Sequence, residues 1–238
     1  MNITTQISKL KMFAAVFAMA STLCSCDSVI YDGEGDCSVK YRIEFEYERN
    51  MEFADAVASK VPSVSLYVFD ESGVLVKQMS ESGQALAADD FAMMLELEPA
   101  EYDLLAWCGV DGKSFTLPTA IVGKTTLEQM QCAVVRRTSD KGSYVDKDLN
   151  PLFHGLKRIN YSSEPGVHTE VISLTKNTNN FRIILQQTWS DSADAEAVDV
   201  SKFDFAIIDN NGRMDYDNSV MEDEQIVYRP WDIKSLNE

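Results

Sequence analysis

Residues 39–47 alternate with a period of two: Val39, Tyr41, Ile43, Phe45 and Tyr47 fall on one side, and Lys40, Arg42, Glu44 and Glu46 on the other. A helix cannot sort such a segment, because its side chains advance by about 100° per residue, and the pattern therefore specifies a β-strand with one wet face. A strand of this kind must cover its apolar face with a second layer and pair its edges with further strands. The rest of the chain supplies candidates for both. Residues 63–69 and 74–79 flank Asp70-Glu71-Ser72-Gly73, a hairpin with glycine at its turn. Residues 91–97 form another strand, Pro99-Ala100-Glu101 a turn, and residues 102–108 the next strand. Later candidates are 167–174, 180–187, 203–209 and 226–228. Asn210-Asn211-Gly212, between Ile207-Ile208 and Met214, suits both left-handed positions of a type I′ hairpin turn.

Helical patterns are few. Phe53, Ala54, Val57 and Ala58 fit a short helix or a long crossover, and residues 127–137 a helical turn leading into a strand. This census specifies an all-β protein of β-sandwich type. One sandwich takes about 100 residues, so the chain is read as two in tandem. The polar cluster Ser162-Ser163-Glu164-Pro165-Gly166 sets the break, giving a first domain over 37–165 and a second, shortened one over 166–238.

The N-terminus carries an address. Lys9 and Lys11 precede the apolar run 12–20 and then Leu23-Cys24-Ser25-Cys26, the charged, apolar and small-residue regions of a secretory signal over 1–25. The apolar run is too short to span a bilayer, which takes roughly 20 residues. A leucine three positions before a cysteine, with small residues between, is the bacterial lipobox, and Cys26 is the expected lipidation site because its thiol can take a diacylglyceryl thioether. Two or more acyl chains anchor stably where one does not. Residues 26–36, with Asp27, Asp32, Gly33, Glu34, Gly35 and Asp36, then read as a flexible tether between lipid and fold.

Composition narrows the function. With 45% hydrophobic residues the chain is a folded protein, and its net charge of −17 excludes generic nucleic-acid binding and attachment to anionic lipid by charge alone. Cys37, Cys108 and Cys132 leave two readings open: a Cys37–Cys108 disulfide plus a free thiol, or three buried thiols. No nucleophile elbow, phosphate loop, dinucleotide fingerprint or metal-ligand spacing occurs, so neither enzyme activity nor a cofactor or metal is expected. His154, within Leu152-Phe153-His154-Gly155, reads as a hydrogen-bonded structural histidine. Residues 209–217 carry acids at calcium-loop spacing but lack the sixth-position glycine and twelfth-position glutamate, and read as a hairpin turn. Trp107, Trp189 and Trp231 are either core residues or a glycan platform.

Several short segments, in order, resemble the FimB-like family of fimbrial anchor lipoproteins, the base subunits of type V pili in Bacteroidetes. They are the lipobox at Cys26, the strand from Cys37, Val64-Ser65-Leu66-Tyr67-Val68-Phe69-Asp70, and Leu97-Glu98-Pro99-Ala100-Glu101-Tyr102-Asp103 leading into Ala106-Trp107-Cys108-Gly109. Pro151-Leu152-Phe153-His154-Gly155, residues 174–181 and residues 208–212 continue the series. The resemblance implies two tandem transthyretin-like (Greek-key) β-sandwiches and a non-enzymatic role: a lipid-held outer-membrane base that attaches fimbrial (pilin) subunits, which join by β-strand complementation. A surface lipoprotein that binds a glycan or other ligand is the alternative. Two departures stand out: Ala100 where glycine is commoner, and the short second domain.

Overall fold

The computed structural model describes residues 39–52, 54–88, 90–185 and 198–234. The expected signal and tether, with Cys26, and also Cys37 and Trp189, lie outside the described residues. The first elements are β1 (Val39–Glu46), a single helical turn α1 (Val57–Lys60), β2 (Ser63–Phe69), β3 (Leu75–Ser82), β4 (Met93–Leu95) and β5 (Glu101–Cys108). Next come β6 (Phe115–Thr116), β7 (Cys132–Val134), β8 (Arg137–Ser139), β9 (Gly142–Val145) and β10 (Phe153–Asn160). The chain continues with β11 (Gly166–Ser173), β12 (Thr175–Lys176), β13 (Ile207–Asp209), β14 (Arg213–Met214) and β15 (Ile226–Tyr228). The protein is all-β, as its alternation requires.

A three-stranded sheet in the order β11-β1-β4 shares one core with a five-stranded sheet in the order β12-β10-β5-β2-β3. Tyr41, Ile43 and Phe45 enter this core from β1, Val64, Leu66 and Val68 from β2, and Leu104, Ala106 and Cys108 from β5. The hairpin between β2 and β3 closes where expected: Asp70 Oδ1 accepts the N–H groups of Ser72 and Val74, and Gly73 donates to the Asp70 carbonyl. At the start of β5 the Tyr102 hydroxyl donates to the Glu98 carbonyl at 2.9 Å, a side-chain strut across the turn.

The five-stranded sheet is buried on both faces. Its alternate residues Tyr67, Phe69, Leu75, Leu105 and Trp107 meet a second core built from Phe115, Leu127, Met130, Cys132, Val134, Val145 and Leu152, together with Ile226. This explains the unbroken apolar run Leu104–Cys108, since a strand covered on both sides has no wet positions. The helical turn expected from residue 127 is a 3₁₀ turn, Leu127–Gln129, followed by β7.

Three expectations change. The boundary set at Ser162–Gly166 falls inside the first sandwich, because the strand beyond it, β11, pairs in parallel with β1 from Val39↔Gly166 to Glu46↔Ser173. β1 has a full core face and only a short partner, β4, on its other edge, so the later strand is needed to satisfy its backbone. The Asn210-Asn211-Gly212 hairpin does not form: β13 pairs with β15, and β14 pairs with β7. Gly212 serves close approach instead, since an added Cβ would lie 2.3 Å from Ile226 Cδ1 and 2.6 Å from Asp223 Oδ2. The strand expected over 180–187 is absent from its described part, where Phe181, Ile183 and Ile184 are exposed and pair with no strand among the described residues.

Candidate anchoring and docking site

The end at which the chain enters the fold is held by tyrosines. Tyr161, buried at the end of β10, places its hydroxyl 2.8 Å from the Val39 carbonyl and 3.0 Å from the Leu95 carbonyl, so one side chain ties together the first residue of β1 and the last of β4. Tyr41 packs against Tyr161 with tilted rings whose centroids are 4.2 Å apart, and its hydroxyl accepts the Ser162 N–H at 2.9 Å. On its other side it stacks with His168 of β11, its partner in the strand register. The alternation that buries Tyr41 and Tyr47 on one side of β1 also places Lys40, Arg42, Glu44 and Glu46 on its wetter face, where Arg42 pairs with Glu44.

The C-terminal residues are laid onto the back of the five-stranded sheet by polar contacts around the second core. Arg136 donates to both oxygens of Asp223 at 2.7 and 3.1 Å, and its guanidinium holds that carboxyl below the usual range. The Ser143 hydroxyl donates to Glu224, and the Val134 N–H donates to the Gly212 carbonyl. His154 is buried, its ring 4.7 Å from that of Trp107, and its Nε2 donates to the Tyr216 carbonyl at 2.7 Å. Burial pushes its pKa down, so the neutral ring is the resident form. It is the hydrogen-bonded structural histidine that its apolar setting implies.

The other singled-out residues also take structural places. Trp107 is fully buried and donates from Nε1 to the Met130 carbonyl, which removes it from any glycan platform, whereas Trp231 is 55% exposed. Cys108 is a free thiol in the first core and Cys132 one in the second; burial pushes the Cys132 thiol up to about 12 and Cys108 higher still, so both are inert. The expected partner of Cys108, Cys37, lies outside the described residues. The acids of 209–217 turn to local N–H groups: Asp209 to Asn210, Asp215 to Tyr216 and Asp217 to Ser219. Among the described residues no group of three or more His, Cys, Asp or Glu is arranged to hold a metal ion, and no helix is long and apolar enough to cross a membrane.

One surface breaks the usual rule of burial. β13 is the terminal strand of the sheet β13-β15-β9-β8, so its outer edge pairs with no strand among the described residues. Ile207 and Ile208 are both exposed, Ile208 by 56%, and Phe203 just before them stacks on Phe205. The register Ile207↔Tyr228 and Asp209↔Ile226 puts Ile207 on the face of β15 that feeds the second core. Phe203 and Phe205, at a spacing of two from Ile207, precede β13 in the chain and add apolar side chains beside its end. The alternation of 203–209 was visible in the sequence, but its exposure was not.

A family model covers most of the chain. The family model for fimbrillin-A associated anchor proteins Mfa1 and Mfa2 matches residues 34–237. The chain belongs to that family. The minor fimbrium anchoring subunit Mfa2 of Porphyromonas gingivalis is 25% identical over 177 residues, which cover 71% of this chain and 52% of that protein. The chain therefore spans about half the length of this relative. A solved structure from Bacteroides thetaiotaomicron, described as a candidate polysaccharide-binding protein, superposes with a TM-score of 0.69 at 27% identity, over 84% of this chain and 66% of that one. The solved structure of the fimbrial anchor protein Mfa2 from Porphyromonas gingivalis shares the fold, with a TM-score of 0.60 at 14% identity over 81% of this chain and 66% of that one. The expected fimbrial-anchor resemblance is borne out at the level of the family.

Proposed function

We propose that this protein is a lipid-held outer-membrane base for a fimbria, attached through an acylated Cys26 and joined to fimbrial subunits by β-strand complementation. The observation that carries the reading is the anchor-family match over 34–237, which begins within the short polar stretch that follows a lipobox cysteine. The known role of the Porphyromonas gingivalis relative, anchoring a minor fimbrium, supports it. The chemistry divides the labour: acyl chains supply membrane affinity at about 0.8 kcal/mol per buried methylene, and the folded part supplies the grip on the fimbria.

The acceptor for a partner strand is the outer edge of β13. Its outer backbone groups, which pair with no strand among the described residues, offer a ladder, and Phe203, Phe205 and Ile207 offer apolar surface for alternate side chains. The fitting occupant is an extended fimbrial-subunit segment with apolar residues at every second position. Asp204 and Asp209 flank the stripe and the chain carries a net charge of −17, so Lys or Arg at the ends of that segment complements the site and a second copy of this chain is repelled.

The test is Cys26→Ala in cells that make the fimbria. The variant should leave the detergent-extracted membrane fraction and shed fimbriae into the medium, and unchanged membrane retention would refute the lipid anchor. A surface lipoprotein that binds glycans is the second reading, favoured by the description of the Bacteroides thetaiotaomicron structure. Fimbriae retained normally after deletion of the gene, together with binding of the mature protein on a glycan array, would decide for it.

A further inference from the structure

The topology of β1 and β11 has a mechanical consequence, and it rests on the anchoring role above. A base subunit transmits load: the tether pulls on the residues before Val39, and the fimbria pulls on the body of the protein. β1 and β11 run parallel in register over the whole of β1. The N-terminal end of β1 and the C-terminal end of β11 therefore lie at opposite ends of the pair. Every residue described after Ser173 follows the far end of β11 in the chain. A pull between the tether and that C-terminal part thus runs along the strands, and it loads all the bonds of the ladder together instead of one after another.

The pair is also latched against sliding. Tyr41, Ile43 and Phe45 project from β1 into the first core, and a slip of two residues would drag each about 7 Å through packed neighbours. A slip of one would turn all three out to water. The Tyr161 hydroxyl holds the Val39 carbonyl at the loaded end, and the Leu174 N–H donates to the Glu46 carbonyl at the other at 2.7 Å. On the other flank β4 adds the antiparallel pairs Tyr41↔Leu95 to Ile43↔Met93, so β1 is gripped from both sides.

We infer that the β1–β11 pair is a shear clamp, the element that carries tension between the membrane tether and the C-terminal part of the protein. The backbone parity identifies its bonds. Leu174 donates toward β1, while the Val171 carbonyl points outward to the Lys157 ammonium at 3.0 Å. Alternate residues face opposite edges, so His168, Glu170 and Ile172 turn their backbone groups to β1.

The test is single-molecule force spectroscopy on the mature, unlipidated chain in two pulling geometries. With handles at the N-terminus and the C-terminus the clamp is sheared; with handles at the N-terminus and the exposed Ser163, which precedes β11, it is peeled from one end. Forced unfolding reports the barrier along the pulled path, so the first geometry should need at least about twice the force of the second. Equal forces would overturn the clamp. Glu170→Pro, which removes a donor facing β1, should lower the end-to-end force, and Glu170→Gln, which keeps that donor, should not. Equal forces in a chain that still retains fimbriae on cells would remove the clamp and leave the anchoring role. A strong clamp in a chain that retains none would remove the anchoring role and leave the clamp as a property of the fold.

Discussion

Gly109 closes β5 with φ at +83°, and an added Cβ would lie 1.9 Å from the Pro151 carbonyl oxygen. Both the left-handed backbone and the lack of space demand glycine there. Gly109→Ala should cost about 3 kcal/mol or more in urea-induced unfolding. Gly112→Ala, at φ +68° with nothing within 4 Å, should cost only about 1 kcal/mol. His154 gives a pH dependence with a definite sign. Burial lowers its folded pKa below the ordinary 6.5, so near that pH the unfolded chain binds more protons than the folded one. Its contribution to stability is complete above about pH 6.5 and is lost as the pH falls toward the folded value. Thermal melting followed from pH 8 downward should show this limb, and His154→Gln, which can still donate to the Tyr216 carbonyl, should flatten it. The burial of His154 was legible from the apolar residues beside it in the chain. The partner it binds, Tyr216, was not, because nothing local links the two.

Among the elements, those whose pattern is self-sufficient were legible. β1, the β2–β3 hairpin and β15 stand where alternation and turn residues place them. Residues 209–213 show how a strong local signal loses to packing. The sequence Asn210-Asn211-Gly212 suits a tight hairpin, yet β13 and β14 are drawn to different partners, and the glycine is spent on the approach of Ile226 and Asp223. Residues 181–184 and 203–206 read as strands because their apolar residues alternate or cluster. They lack ladder partners among the described residues, and a strand without a partner has no hydrogen bonds to hold it. Phe181, Ile183, Ile184 and Phe203 in these stretches are exposed, Phe181 reaching 76%, and this exposure shows in the structure and not in the pattern.

At the scale of the molecule, the polar Ser162–Gly166 link reads as a domain border but lies within the first sandwich, between two of its strands. A chain ending at residue 165 would lose β11 and with it Ile172 and Leu174 from the first core, leaving one edge of β1 bare. Such a fragment should fail to fold as a soluble monomer, which gel filtration and far-ultraviolet circular dichroism would report. A fragment over 26–165 that is monomeric and melts cooperatively would show the border to be real after all. The C-terminal residues contribute to both cores, through Ile172 and Leu174 to the first and through Ile226 to the second.

The sequence alone determined the all-β class and the identity of the most regular strands, and it is the basis on which we propose an export-and-lipidation address at Cys26. These follow from local rules: side-chain periodicity, turn stereochemistry and the chemistry of one thiol. Tertiary structure decided which strands are neighbours, because pairing depends on backbone edges and core volumes contributed by residues far apart in the chain. The parallel union of β1 with β11, the burial of the five-stranded sheet on both faces and the β13 edge left unpaired among the described residues are all of that kind. Each rests on an unfilled backbone ladder or an uncovered apolar face, and no window of neighbouring residues reveals what will fill it.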